Sequence, residues 1–104
     1  MSWETTIVPA AAGFSILTKH DDTINYQKDS IIAWQINRHE HHGITVWPIT
    51  IEGPAKIIPD TVQAIFQPSG RVIEFSKTPA RRRFETMDEW RHYAQKAMRP
   101  RKKA

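Results

Sequence analysis

Three histidines and a carboxylate lie close together in residues 37–43, NRHEHHG. His39 and His41 are two positions apart, so on a β-strand both imidazole rings would lie on one face, where they could share a Zn²⁺ ion. Zinc sites in proteins use three or four protein ligands, so this pair would need at least one more. The nearest candidates in the sequence are His20, Asp21 and Asp22.

A polar hairpin loop accounts for the same residues without a metal ion. The segment lies between two apolar, β-branched segments and ends in Gly43, as connections between paired strands commonly do. The histidine spacing of recognised zinc motifs, such as H-E-x-x-H on a helix, is absent from the chain. We therefore predict a loop here, with no metal and no other cofactor; His39 and His41 are the candidate ligands if a metal binds.

The sequence carries no signature of an enzyme. It has no cysteine, no G-x-S-x-G motif and no glycine-rich phosphate loop, and we predict no catalytic residues. The lack of cysteine fits a reducing compartment, and no apolar segment has the length of a membrane span or the flanks of a signal peptide. We expect a non-enzymatic, cytoplasmic protein without a membrane partner.

Positive charge is concentrated in the last quarter of the chain. Residues 1–80 hold six basic against eight acidic residues, a net charge of −2, whereas residues 81–104 hold nine against three, a net charge of +6. This asymmetry is typical of proteins that bind an anionic partner at one end, such as nucleic acid. The alternative, which we favour, is that the basic residues complement a helix dipole and that residues 99–104 form a disordered tail. The candidate nucleic-acid-binding residues are Arg81, Arg82, Arg83, Arg99, Arg101, Lys102 and Lys103.

Short alternating apolar runs between turn residues predict β-strands from Phe14 to Phe75. Residues 30–37, SIIAWQIN, alternate most clearly and predict one strand. Residues 61–75 predict a hairpin, with Pro68 and Gly70 at the turn.

Residues 43–53, GITVWPITIEG, predict a strand at the edge of a sheet. Pro48 lacks the N–H that a central strand needs, and the apolar phase shifts around it, so an edge or a bulge near Trp47 is indicated. Sheet edges bind other strands, so this segment could bind another protein or a second copy of the chain. The candidate protein-binding residues are Trp47 and Ile49.

A helix is predicted at residues 87–98. Thr86 and Glu89 form a capping-box pattern, and Pro100 would end the helix. An apolar stripe at helical spacing, with Trp90 as the main anchor, predicts that the helix packs on the sheet. The predicted fold is therefore α+β: one domain over residues 1–98, with a small, meander-like antiparallel sheet of about four to six strands and one C-terminal helix.

The chain resembles a group of uncharacterised small proteins from bacteriophages and prophages. The resemblance lies in the order of four segments: IIAWQI, VWPITIEG, AIFQPSGRVIEF and F-x-T-x-D-E-W. In that group a V-I-A-W-type strand precedes a P-V/I-T-type strand, a hairpin with P-x-G at its turn, and a short helix carrying a tryptophan. The resemblance covers residues 31–90 and excludes the histidine cluster and both basic clusters. It implies a fold and a phage-like setting and supplies no catalytic residues.

Two functions follow as expectations. The first is a phage-like accessory module that binds a host or phage protein, because small phage accessory proteins often act by occupying a host protein. The second is nonspecific nucleic-acid binding through the basic C-terminal quarter.

Overall fold

The computed structural model of the 104-residue chain describes residues 3–21, 23, 25–76 and 81–98. The predicted α+β class is confirmed, with antiparallel strands and one C-terminal helix. The described part of the chain contains no helix long and apolar enough to cross a membrane. The elements are β1 Glu4–Pro9, β2 Ser15–Lys19, β3 Gln27–Ser30, β4 Ala33–His39, β5 Gly43–Thr50, β6 Gly53–Pro54, β7 Val62–Phe66, β8 Val72–Glu74, β9 Arg83–Phe84 and α1 Met87–Ala97.

The strands form two antiparallel sheets, where the sequence predicted one. A four-stranded sheet has the order β1-β4-β5-β6, and a five-stranded sheet has the order β3-β2-β7-β8-β9. Strands β1, β3, β6 and β9 were not predicted from the sequence, because they are short or polar and lack a sustained apolar alternation.

The chain crosses from one sheet to the other at Ile31 and Ile32. The N–H of Ile31 donates to the carbonyl of Phe14 beside the five-stranded sheet (3.0 Å), and the N–H of Ile32 donates to Ile49 in the four-stranded sheet (2.8 Å). Residues 30–37, predicted as one strand, are therefore divided: β3 ends at Ser30 and β4 begins at Ala33.

The five-stranded sheet lies between the helix and one end of the four-stranded sheet. We call this end, which contains Trp34 and Trp47, the base of the four-stranded sheet. Every residue of strand β2 in the five-stranded sheet is buried, and successive side chains lie on opposite faces of the sheet. Leu17 packs in one core cluster with Trp90 of α1, whereas Ile16 packs in a second cluster. The members of the first cluster are Leu17, Ala64, Val72, Trp90 and Ala94; those of the second are Ile16, Ile31, Ile65 and Phe75, with Trp34 and Trp47 of the four-stranded sheet packed against them.

The predicted hairpin turn and helix start are confirmed. The N–H of Gly70 donates to the carbonyl of Gln67 (2.9 Å), which places Pro68 at the second position of the turn. The hydroxyl of Thr86 accepts a hydrogen bond from the N–H of Glu89 (3.2 Å) and caps the helix.

Replacing Trp90 with alanine should strongly destabilise the fold. Its side chain is fully buried between the helix and the five-stranded sheet, so Trp90→Ala should lower the free energy of unfolding by about 3 to 5 kcal/mol. The measurement is urea denaturation. Ile51→Ala is the control, because Ile51 is 90% exposed and its truncation should cost less than about 0.5 kcal/mol. Equal effects of the two substitutions would contradict the packing of the helix on the sheet.

Candidate functional site

One edge of the four-stranded sheet is only partly covered. Strand β4 pairs with β5 from Gly43 to Ile49, but β6 pairs with β5 only at Ile49 and Thr50. Just beyond that pairing, the N–H of Ala55 donates to the carbonyl of Pro48 (2.9 Å). The backbone of Pro48 therefore faces away from β4, toward β6.

The same orientation repeats at every second residue of β5. Because the backbone groups of alternate residues in an antiparallel strand face opposite neighbours, those of Val46 and Ile44 also face away from β4. No residue in the described ranges forms a backbone hydrogen bond with them on that side. We call residues 43–47 of β5 the open edge; it ends at Pro48 in one direction and at the turn of the β4–β5 hairpin in the other.

The side chains along the open edge are apolar and exposed. Ile44 is 62% exposed and Val46 is 50% exposed. Both lie on one face of the sheet, since Val46 is the cross-strand partner of Ile36 and Ile44 is the partner of Arg38. The segment thus offers unpaired backbone groups and apolar side chains at one place, which is the combination that strand addition uses.

The residues proposed from the sequence to bind a protein lie farther along β5. Trp47 is half-buried: its indole N–H donates to the carbonyl of Ala55, and its ring centroid lies 5.0 Å from that of Phe75. Ile49 pairs with Ala33 and with Pro54. The prediction of an edge at this strand holds only for residues 43–47, because β6 pairs with the far end of β5 and is the outermost strand. The predicted alternative, a bulge near Trp47, is wrong, since the pairing of β4 with β5 is continuous from Gly43 to Ile49. Ile44 and Val46 are the exposed apolar residues of the uncovered part. The shift in apolar phase around Pro48 was the available signal that these two side chains lie on a different face from Ile49.

The other edge strands in the described structure carry charged residues or, in the two-residue β6, a proline. Strand β1 begins at Glu4 and ends at Pro9, and β9 contains Arg83 after two further arginines. Strand β3 contains Lys28 and Asp29. Charged residues and proline on edge strands oppose pairing with another strand. The open edge of β5, GITVW, contains no charged residue.

The predicted loop at the histidine cluster is confirmed, and an aromatic contact supports it. Residues 40–42 join β4 to β5, and Nδ1 of His39 accepts a hydrogen bond from the N–H of His41 (3.1 Å). The ring of Trp3 lies 4.9 Å from that of His39 and 6.0 Å from that of His42, centroid to centroid. Trp3 was not associated with this cluster in the sequence, because the contact depends on the unpredicted strand β1.

The rings of His39 and His41 lie near each other, 5.8 Å between centroids, but among the described residues they gain no third ligand. In residues 3–21, 23, 25–76 and 81–98, no three His, Cys, Asp or Glu side chains are grouped so that they could hold a metal ion. The hydroxyl and N–H of Thr23 donate to the carboxylate of Asp21 at 2.5 and 3.0 Å and hold the pKa of Asp21 below its ordinary value. The carboxylate of Asp21 therefore stabilises the loop to which it belongs. Asp22 lies outside the described residues.

Arg81 and Arg82 come just before β9, and Arg83 is its first residue. The guanidinium of Arg82 lies over the ring of Tyr93, 5.0 Å from its centroid, and Phe84 contacts the same ring. Arg82 and Phe84 thus lie on one side of the chain, and Arg83, which is between them in the sequence, lies on the other side if the chain stays extended there. All three arginines are exposed, and none forms an ion pair with a described residue. The other basic candidates, Arg99, Arg101, Lys102 and Lys103, lie outside the described residues.

Comparison of the chain with models of known protein families, with curated proteins and with solved structures found no match.

Proline substitutions should verify which backbone groups face outward. Val46→Pro removes an outward N–H, as does Ile7→Pro on the outer edge of β1, so each should lower the free energy of unfolding by only about 1 kcal/mol. Thr45→Pro removes an N–H that faces β4 and should cost about 2 to 3 kcal/mol. Denaturation of the three variants is the measurement. If Thr45→Pro left the stability nearly unchanged and Val46→Pro lowered it strongly, the backbone of β5 would face the opposite way to the one assigned here.

Proposed function

We propose that this protein is a non-enzymatic, cytoplasmic binding module that recognises another protein by pairing with an extended segment of it at the open edge of β5. The observation that carries the proposal is the coincidence of unpaired backbone groups and exposed apolar side chains at Ile44 and Val46. Backbone pairing supplies affinity for any extended chain, and the exposed side chains favour apolar residues at alternate positions of the bound segment.

The pairing of β5 with β4 supports the same role. Strand β5 is held along its inner side by β4, and the half-buried Trp47 fixes it against the core of the five-stranded sheet. A binding strand that is already ordered does not lose conformational freedom when a partner docks. The partner alone then bears the entropic cost of becoming extended.

The resemblance to small phage and prophage proteins suggests what kind of partner to expect. Such a protein would engage a host or phage protein, and its effect would come from occupying that protein rather than from chemistry. This setting is part of the proposal and rests on the resemblance of residues 31–90.

The test compares capture of bacterial proteins by the wild-type chain, Val46→Pro and Ile7→Pro, from lysate treated with nuclease. We expect wild type and Ile7→Pro to retain the same protein and Val46→Pro to lose it. Ile7→Pro is a matched control because it changes an exposed apolar residue with an outward N–H on the other edge of the same sheet.

Hydrogen exchange identifies the contact directly. When the captured protein is added, the amides of Ile44 and Val46 should exchange more slowly with solvent, because their N–H groups become hydrogen-bonded. Retention of the same protein by Val46→Pro, together with unchanged exchange at these two amides, would show that the open edge is not the binding site.

A second candidate function is nonspecific nucleic-acid binding. It is favoured by the exposure of Arg81, Arg82 and Arg83 without an ion-pair partner among the described residues. Unpaired guanidinium groups can bind phosphates and displace condensed counterions.

This second function predicts a salt-dependent affinity for DNA. The logarithm of the binding constant for a labelled duplex should fall linearly with the logarithm of salt concentration, and replacing all three arginines with alanine should reduce the slope by about 2 to 3. Arg71→Ala is the control, since Arg71 is also exposed but pairs with Glu85 at 3.3 Å. An unchanged slope in the triple variant would remove these arginines from any nucleic-acid interface.

A further inference from the structure

We propose that the open edge also pairs with the open edge of a second copy of this chain, forming a two-fold dimer with Thr45 of each copy at the symmetry axis. The inference rests on the proposed function, because it assigns one partner to the same edge. In such a dimer the two four-stranded sheets would join into one continuous sheet through β5 and its symmetry mate.

Charge favours a second copy at this edge over the others. When two copies of one strand pair about a two-fold axis, each charged residue near the axis meets a like charge. The segment GITVW has no charge to repel itself. The edges formed by β3 and β9 carry Lys28, Asp29 and Arg83, and β1 begins at Glu4 and ends at a proline.

The limits of the open edge select one register. Pro48 has no N–H, and its carbonyl already accepts a hydrogen bond from Ala55, so a new ladder cannot extend past Trp47. At the other end the β4–β5 turn occupies residues 40–42. An antiparallel pairing that uses the whole free segment therefore matches Gly43 with Trp47 of the second copy and places the two Thr45 residues opposite each other.

This register satisfies the outward backbone groups of both copies. Ile44 of each copy lies opposite Val46 of the other, and each of these residues has an outward N–H and an outward carbonyl. The pairing would therefore form about four hydrogen bonds. It also joins the exposed side chains of Ile44 and Val46 from both copies into one apolar patch on one face of the sheet. A register centred on Val46 would instead place Ile44 opposite Pro48, which has no N–H to donate.

The size of the contact determines how strong the dimer can be. Stable protein interfaces bury about 800 Å² on each partner, involving about 20 to 30 residues a side. The open edge supplies only residues 43–47 and their immediate neighbours. The dimer is therefore dependent on concentration and dissociates at low protein concentration.

Charge substitutions at Thr45 test both the dimer and its register. Thr45 is exposed, and in this register it lies beside its own symmetry mate. Thr45→Lys and Thr45→Glu should each weaken self-association at least about tenfold through like-charge repulsion, and an equimolar mixture of the two variants should associate again. Sedimentation equilibrium over a range of concentrations measures the average mass. Thr5→Lys and Thr5→Glu are the matched controls on the outer edge of β1, and both should associate as the wild type does.

The outcomes separate this inference from the proposed function. A wild-type mass that rises toward twice the monomer mass, with loss in each Thr45 variant and recovery in the mixture, supports the dimer. A wild-type chain that stays monomeric, or a mixture that does not recover, overturns it. If Val46→Pro then still abolishes capture of another protein and Ile7→Pro does not, the proposed function stands without the dimer. If neither substitution changes the capture, the proposed function fails as well.

Discussion

Two successive backbone amides determine how this molecule is arranged. The N–H of Ile31 donates to Phe14, directly before β2 of the five-stranded sheet, and the N–H of Ile32 donates to Ile49 of the four-stranded sheet. The side chains follow the same division, with Ile31 buried in the core and Ile32 exposed. Because the sheets are joined through adjacent residues, the base of the four-stranded sheet must lie against the five-stranded sheet.

The exposed part of the four-stranded sheet is a consequence of that junction. Trp34 and Trp47 lie near the base and pack against the second core cluster. The outer parts of β1 and β5 lie beyond this contact, and their side chains are largely exposed. The stability of the fold therefore depends on the five-stranded sheet and the helix, while the outer part of the other sheet is free to serve as a surface.

The open edge arises from a difference in strand length. Strand β5 has eight residues and β6 has two, so no strand in the described part of the chain covers most of the outer side of β5. In the absence of a partner, water can satisfy the outward N–H and carbonyl groups of Ile44 and Val46. A partner strand would replace that water with hydrogen bonds and would also cover the apolar side chains, which water cannot stabilise. In the proposed function, this burial of apolar side chains would favour a partner segment with apolar residues.

Several residues that the sequence offered for chemistry have local structural contacts instead. Nδ1 of His39 accepts a hydrogen bond within its own turn, and the ring of Trp3 lies against the cluster. The carboxylate of Asp21 is held by Thr23, and Arg82 lies over Tyr93. On the open edge, the groups that have no partner among the described residues belong to the backbone, which has no residue-type signature in a sequence.

Local patterns in the sequence were enough to determine the class of fold, the hairpin turn at Pro68 and Gly70, the helix cap at Thr86 and the position of β5 near the edge of a sheet. Each depends on residues close together in the chain: a proline without an N–H, a hydroxyl three residues before an amide, or a period of apolar side chains. Tertiary structure alone decided that the strands divide into two sheets, that Trp3 contacts the histidines, and that Ile44 and Val46, rather than Trp47 and Ile49, are exposed. These outcomes depend on which distant strands pair and on where a covering strand ends. The sequence of one strand does not determine them, because its apolar alternation is the same whichever strand pairs with it.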